Sequence, residues 1–207
     1  MGRGAGRLRY PRHVADVLLL DVMGTLVHDP FFEDMPSFFG MSFDEMMAAK
    51  HPSAWVEFEL GQRSEEDFLE SFFADRRDFD RPGFVSAICS AYRWLPGLEE
   101  LLVELRGAGC TMHAFSNYPV WYQRIEERLS LSRFLDWTFV SCITGLRKPD
   151  PAAYTHVLNE LGVPAEQCVF VDDRVGNCEA ARQGGIGSVL FEGVGPLRAS
   201  LRDAGVL

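Results

Sequence analysis

The sequence predicts an α/β fold, a doubly wound parallel sheet with a helical segment inserted after its first strand. Three observations predict it. Short continuous apolar runs recur along the chain, as strands covered on both faces require. Amphipathic stretches, most of them ending in glycine, lie between those runs. The alternation is interrupted once, by a long stretch that carries helix starts and no strand-like run.

The elements follow in order. Residues 17–21 are the first apolar run, and it ends in an acid. The interrupted stretch then runs from Val27 to about Leu95. Ser42-Phe-Asp-Glu45 has the spacing of a capping box, in which a hydroxyl and a carboxylate satisfy two orphan N–H groups of a first helical turn. Ser64-Glu-Glu-Asp67 is a near copy, and Ser53 after Pro52 is a third cap. From residue 98 helix and strand alternate. A helix over 98–106 ends at Gly107, before a strand over 110–115. A helix over 120–131 follows Pro119, before a strand over 138–143. A helix over 152–161 ends at Gly162, before a strand over 168–171. A helix over 177–183 ends at Gly184, before a strand over 186–191. The expected organisation is a basic, disordered head over 1–13, a Rossmann-like core over 14–27 and 96–207, and a helical insert over 28–95. The insert holds 14 of the 25 aromatic residues, among them Phe31, Phe32, Trp55, Phe58 and Phe72. They form the core of a small bundle, or a few of them project into a cleft shared with the sheet.

Composition removes several function classes. A chain of 207 residues, 47% of them hydrophobic, can bury the core of one domain carrying an insert. No apolar run approaches the ~18 residues of a membrane span. A net charge of −10 argues against a dedicated nucleic-acid binder, which needs a basic face. The five cysteines, Cys89, Cys110, Cys142, Cys168 and Cys178, form no CxxC pair and no zinc spacing, so they read as small buried side chains in a reducing compartment. The expectation is a soluble intracellular protein. Residues 1–13 carry four arginines and no acid, as the stump of an organelle-targeting peptide or a plain disordered start. Of the 20 Lys+Arg only Lys50 and Lys148 are lysine.

In an open α/β sheet, ligands bind beyond the carboxyl ends of the strands. The residues that follow the predicted strands are Asp21, then Ser116 and Asn117, then Lys148, then Asp172 and Asp173. If the strands are neighbours, a carboxylate, a hydroxyl, a cation and a carboxylate pair converge. A carboxylate such as Asp21 can act as a nucleophile and split one displacement into two. Clustered carboxylates repel unless a cation sits among them, and Mg2+ takes one or two carboxylates together with substrate phosphate. Ser116 can donate to phosphoryl oxygens. Lys148 supplies a compact point charge where a planar guanidinium would fit less well, in a chain that otherwise uses arginine. Gly24 permits a close turn after the first strand. Together these describe phosphoryl transfer through an aspartyl-phosphate. Lys50 has no such argument and reads as a surface residue of the insert.

The set Asp21-Val-Met-Gly-Thr-Leu26, Ser116-Asn117, Lys148-Pro-Asp-Pro151 and Val169-Phe-Val-Asp-Asp-Arg174 with Asn177 resembles the haloacid dehalogenase superfamily from about residue 15 to 192. The resemblance implies a nucleophile at Asp21 and phosphate-binding residues at Ser116, Asn117 and Lys148. It implies a magnesium site at Asp21, the Met23 carbonyl and Asp173, with Asp172 in support. It makes the insert a cap of the first type, closing over the site. Within the superfamily, His28–Gly40, Lys50-His-Pro-Ser-Ala-Trp55 and His113-Ala-Phe-Ser-Asn-Tyr-Pro119 resemble the plant chloroplast flavin mononucleotide (FMN) hydrolases. That likeness implies hydrolysis of a small phosphate ester, FMN, to riboflavin and phosphate, with no nucleic-acid or membrane partner. It also implies a chloroplast location if the source is a plant or alga, and a cytoplasmic one otherwise. The oligomeric state is left open.

One position departs from the superfamily's phosphatases. Two residues after the nucleophile they carry an Asp that protonates the leaving alkoxide; here Met23 stands there and cannot transfer a proton. Another acid such as His28 or a metal-bound water can serve, or the enzyme is slow. Two other readings stay open. The 2-haloacid dehalogenases share the uncharged residue, the Ser-Asn pair and a Tyr six residues after the lysine, here Tyr154, but they need no metal, and the Asp172–Asp173 pair speaks against them. A non-catalytic binding or regulatory protein on the same frame has Met23 as its only support.

Overall fold

The computed structural model describes residues 17–207. The basic head over 1–13 lies outside them. Five parallel strands form one sheet in the order β3-β2-β1-β4-β5, with β1 Val17–Leu20, β2 Thr111–Ser116, β3 Asp136–Val140, β4 Cys168–Asp172 and β5 Gly187–Leu190. The central strand explains its own composition. All four residues of β1 are buried, Leu18 and Leu20 against one hydrophobic cluster and Val17 and Leu19 against the other. With both faces covered, every position of the strand is apolar. Leu20 pairs with Ala114 on one side and Val171 on the other, so the residues that follow β1, β2 and β4 leave the sheet at one level. The chain steps to one side of β1 for β2 and β3 and to the other for β4 and β5. That reversal opens a crevice at the carboxyl ends, beside β1.

Between β1 and β2 come α1 Asp34–Phe38, α2 Phe43–Ala49, α3 Ala54–Glu59, α4 Glu65–Glu70, α5 Arg81–Ala91 and α6 Leu98–Gly107. The Ser42 box is complete: Ser42 Oγ accepts from the Glu45 N–H, and Glu45 Oε2 accepts from the Ser42 N–H at 2.7 Å. At Ser64 only one half forms. Its hydroxyl accepts from the Asp67 N–H at 3.0 Å, while the shorter Asp67 carboxylate accepts from the hydroxyl and not from the backbone. Ser53 precedes α3 but makes no cap bond; its hydroxyl turns to Glu57 at 2.5 Å.

After β2 come α7 Tyr122–Leu129, α8 Ser141–Thr144, α9 Pro151–Leu161, α10 Val175–Gln183 and α11 Val194–Asp203. Two features differ from the sequence reading. The strand expected over 138–143 stops at Val140, because Ser141 donates to the Glu59 carbonyl at 2.5 Å and accepts from the Tyr118 N–H at 3.0 Å, turning the chain into α8. The C-terminal α11, which packs Leu197 and Leu201 into the core, follows a Gly-rich start that gives no helix signal.

The aromatic residues of α1–α5 are mostly bundle core. Phe58 and Phe68 stack at 4.6 Å. Trp121, from the loop after β2, enters that bundle edge-on at 5.4 Å from Phe58 and 5.7 Å from Phe68. Its indole N–H donates to Glu65, which also takes Arg124 on both oxygens. One hydrophobic cluster therefore runs from the sheet into the insert. Among the described residues no helix is long and apolar enough to cross a membrane. No two of the five cysteines form a disulfide; Cys168 and Cys178 are buried and the other three partly so.

Candidate active site

The crevice beside β1 gathers the residues singled out from the sequence. Asp21 leaves β1 7% exposed, its N–H donating to the Val171 carbonyl at 2.9 Å. The Lys148 ammonium, 1% exposed, donates to Asp21 Oδ1 at 2.8 Å and to Asp172 Oδ2 at 2.6 Å. Thr25 donates to Asp21 Oδ2 at 3.2 Å. Asp172 is fully buried and further held by the Asn177 amide, at 3.0 Å from each oxygen, and by the Arg174 N–H at 2.8 Å. It therefore holds the turn that leads into α10 and pairs with Lys148 as well. Asp173 is more open than Asp21 and Asp172, and its carboxylate takes no hydrogen bond from another described residue.

Ser116 ends β2 at 2% exposure, and its hydroxyl has no partner among the described residues. A buried, unpaired hydroxyl costs free energy unless a ligand completes it. Asn117 is placed differently from the sequence reading. Its side-chain N–H donates to the Lys148 carbonyl and its oxygen accepts from the Lys148 N–H, both at 2.8 Å. The amide clamps the strand-end loop that carries Lys148, and no oxygen and one N–H remain for a phosphate. The Lys148–Pro149 peptide bond in that loop is cis.

The electrostatics of the cluster are lopsided. Burial pushes the Asp21 carboxyl up to about 7; Lys148 opposes that shift, and Asp172 and Asp173 add to it. Burial alone would lower the Lys148 ammonium, but Asp21 and Asp172 outweigh it and hold it above its usual value. Three carboxylates thus share one buried cation. One oxygen from each of Asp21, Asp172 and Asp173 lies within 4.8 Å of the others. Gly24, at φ +77°, leaves the space that Asp173 occupies: a Cβ there would stand 2.8 Å from Asp173 Oδ2. An all-oxygen donor set with excess negative charge fits Mg2+. Met23, 8% exposed, packs its side chain into the core. His28 Nε2 lies 2.6 Å from Asp34 Oδ2, so that ring nitrogen is already committed.

Sequence reasoning missed four charged residues around this cluster. Arg147 precedes Lys148 and donates to Glu59 at 3.0 Å. Glu59 itself, Arg174 and Lys50 lie in the same field. Lys50 is half-buried and not the free surface residue its sequence context implied. The available signals were adjacency, Arg147 to Lys148 and Arg174 to Asp173, and the scarcity of lysine.

The haloacid dehalogenase-like hydrolase family matches residues 15–185. The chain belongs to that family. Among its relatives, flavin mononucleotide hydrolase 1 of Arabidopsis thaliana, a chloroplast protein, is 46% identical over 190 residues, 92% of this chain and 78% of that protein. A sesquiterpene phosphatase of Aspergillus oryzae is 28% identical over 155 residues, 70% of this chain and 76% of that one. A haloacid dehalogenase (HAD) family enzyme of Bacteroides thetaiotaomicron, solved in complex with magnesium and inorganic phosphate, has the same fold. Its TM-score is 0.70 at 17% identity, over 86% of this chain and 94% of that one.

Proposed function

We propose that this HAD-family hydrolase is a Mg2+-dependent phosphatase that cleaves FMN to riboflavin and phosphate through an aspartyl-phosphate on Asp21. The observation that carries the chemistry is one buried constellation: Asp21 against Lys148, with the unpaired Ser116 hydroxyl at the neighbouring strand end. Asp21 attacks phosphorus, a bond forms from its carboxylate to phosphorus, and the ester oxygen leaves and takes a proton. Ser116 and Lys148 hold the phosphoryl oxygens. Asp172, pinned on both oxygens, fixes the Lys148 ammonium in place. Water then attacks phosphorus, the bond to Asp21 breaks, and phosphate departs. Asp21, Asp173 and the Met23 carbonyl would hold Mg2+, with Asp172 behind them, and the ion would neutralise charge developing on the phosphoryl group. Met23 supplies no proton, so the leaving alkoxide must draw on water or a group outside the usual pair.

The likeness to the Arabidopsis FMN hydrolase over 92% of the chain supports FMN as the ester. It supports residues 28–95 as the cap and residues 14–27 and 96–207 as the catalytic core. It also supports a chloroplast location if the source is a plant or alga, and a cytoplasmic one otherwise. The three-carboxylate cluster weighs against the dehalogenase reading, because unneutralised acids repel an anionic substrate. Phosphate release from FMN, with Mg2+ and with a chelator, tests the proposal. Chelator-sensitive release is expected; chelator-resistant release of halide from 2-chloropropionate, with FMN untouched, would overturn it.

A further inference from the structure

One corner of the insert, at the end of α3, is seated on the loops that follow β2 and β3. Glu59 closes α3 and is 6% exposed. Its main-chain carbonyl accepts from Ser141 Oγ at 2.5 Å, and its Oε2 accepts from Arg147 at 3.0 Å. Its Oε1 takes the Trp55 indole N–H from within the same helix. A carboxylate accepts from both side-chain donors, where an amide would turn an N–H on one of them. Gly61 tightens the seat. At φ +70° it runs so close to α8 that a Cβ would stand 2.6 Å from the Cys142 carbonyl oxygen.

These bonds close a ring. Ser141 Oγ also accepts from the Tyr118 N–H at 3.0 Å. Tyr118 follows Asn117, whose side-chain amide holds the N–H and the carbonyl of Lys148, both at 2.8 Å. Lys148 follows Arg147, which returns to Glu59. Glu59 is the one member drawn from the insert, and the others come from core loops. The ring passes beside Ser116, the neighbour of Asn117, and through the backbone of Lys148. The ends of those two side chains are not in it: the Lys148 ammonium donates to Asp21 and Asp172, and the Ser116 hydroxyl has no partner among the described residues. Through the ring the insert reaches the backbone that carries them. Hydrogen bonds in a connected network strengthen one another, so a break at one point loosens the rest. A displacement of about 1 Å in groups that hold a reacting centre costs on the order of 10²-fold in rate.

We propose that Glu59 is a positioning residue, closing the ring Glu59–Ser141–Tyr118–Asn117–Lys148–Arg147 and so coupling the seating of the insert to the placement of Ser116 and Lys148. The phosphate-binding role of those two residues rests on the phosphatase reading; the ring itself does not. Arg147→Met and Glu59→Met break the same bond from its two ends and leave Asp21, Ser116 and Lys148 in place. Hydrogen–deuterium exchange of the unliganded protein reads the ring. The Tyr118 and Lys148 N–H groups are expected to exchange roughly tenfold faster or more in each variant, while the amides of β1 and β4 keep wild-type rates. Inorganic phosphate, titrated with Mg2+, is expected to bind about tenfold more weakly to each variant, and no more weakly to the double variant, since one bond is lost in all three. Arg147→Lys keeps a donor for Glu59 and recovers part of both effects. Unchanged exchange at Tyr118 and Lys148, equally faster exchange throughout the sheet, or unchanged phosphate affinity in the variants of a wild type that binds it would overturn the inference. Wild-type protein that binds no phosphate would overturn the phosphatase reading. The exchange measurement needs no ligand and still decides the ring.

Discussion

The two charged groups of the molecule are built on opposite principles. At the strand ends, Lys148 is answered by Asp21 and Asp172, and Asp172 is held by Asn177 and a backbone N–H. Among the described residues the Ser116 hydroxyl and the Asp173 carboxylate have no side-chain partner and are left to a ligand. Around Glu59 the acid is satisfied on both oxygens, by Trp55 and Arg147, while among the described residues the side chains of Lys50 and Arg174 take no hydrogen bond or ion pair. The first group sits on buried parallel strands whose register fixes its geometry. The second is assembled from the ends of two short helices of the insert, which carry Lys50 and Glu59, and from the loops that carry Arg147 and Arg174. The difference is one of support: a strand buried on both faces carries Asp21 in the first group, and a short helix of the insert carries Glu59 in the second.

Breaking the first group has the largest effect. Lys148→Met removes the ammonium between two buried carboxylates. Turnover should fall on the order of 10³-fold, and stability by roughly 3–5 kcal/mol, read by phosphate release and by urea unfolding. A smaller stability loss with full loss of turnover would mean that the carboxylates adapt by taking up a proton. Severing the link between the regions comes next. Trp121→Ala empties a buried site shared by the insert and the sheet, and a loss of about 3 kcal/mol is expected in urea unfolding. If the insert folds apart from the core, two transitions will replace one. The smallest effect is local to the insert: Ser42→Ala breaks a complete capping box on an exposed helix, at about 1 kcal/mol in the same assay.

The sheet was legible because its strands are buried on both faces, which leaves runs such as Val17-Leu-Leu-Leu20. The candidate group was legible for a related reason, since Asp21, Ser116, Asp172 and Asp173 stand at or just past the ends of such runs; Lys148 lies farther on, beyond α8. What was hidden depends on distant partners. Strand β3 stops at Val140 because Ser141 binds the Glu59 carbonyl, 82 residues away in sequence. Asn117 turns to the Lys148 backbone, 31 residues on, and no local pattern announces that clamp. Lys50 looked like a surface lysine because nothing in residues 43–50 encodes its bridge to Phe73, which leaves the side chain half-buried. The aromatic count pointed to the insert but could not separate the core pair Phe58 and Phe68 from Phe32, which is 48% exposed.

The central claim is that Asp21 forms the covalent bond to phosphorus. Rapid acid quench during turnover of FMN, followed by digestion and mass spectrometry, tests it directly. The account predicts a phosphoryl group on the peptide that contains Asp21. It also predicts that the near-isosteric Asp21→Asn variant has neither that adduct nor turnover, a loss on the order of 10⁴-fold or more, while it unfolds in urea like the wild type. Turnover of FMN by Asp21→Asn at a rate near that of the wild type, with no phosphoryl group trapped at residue 21 in either protein, would contradict it.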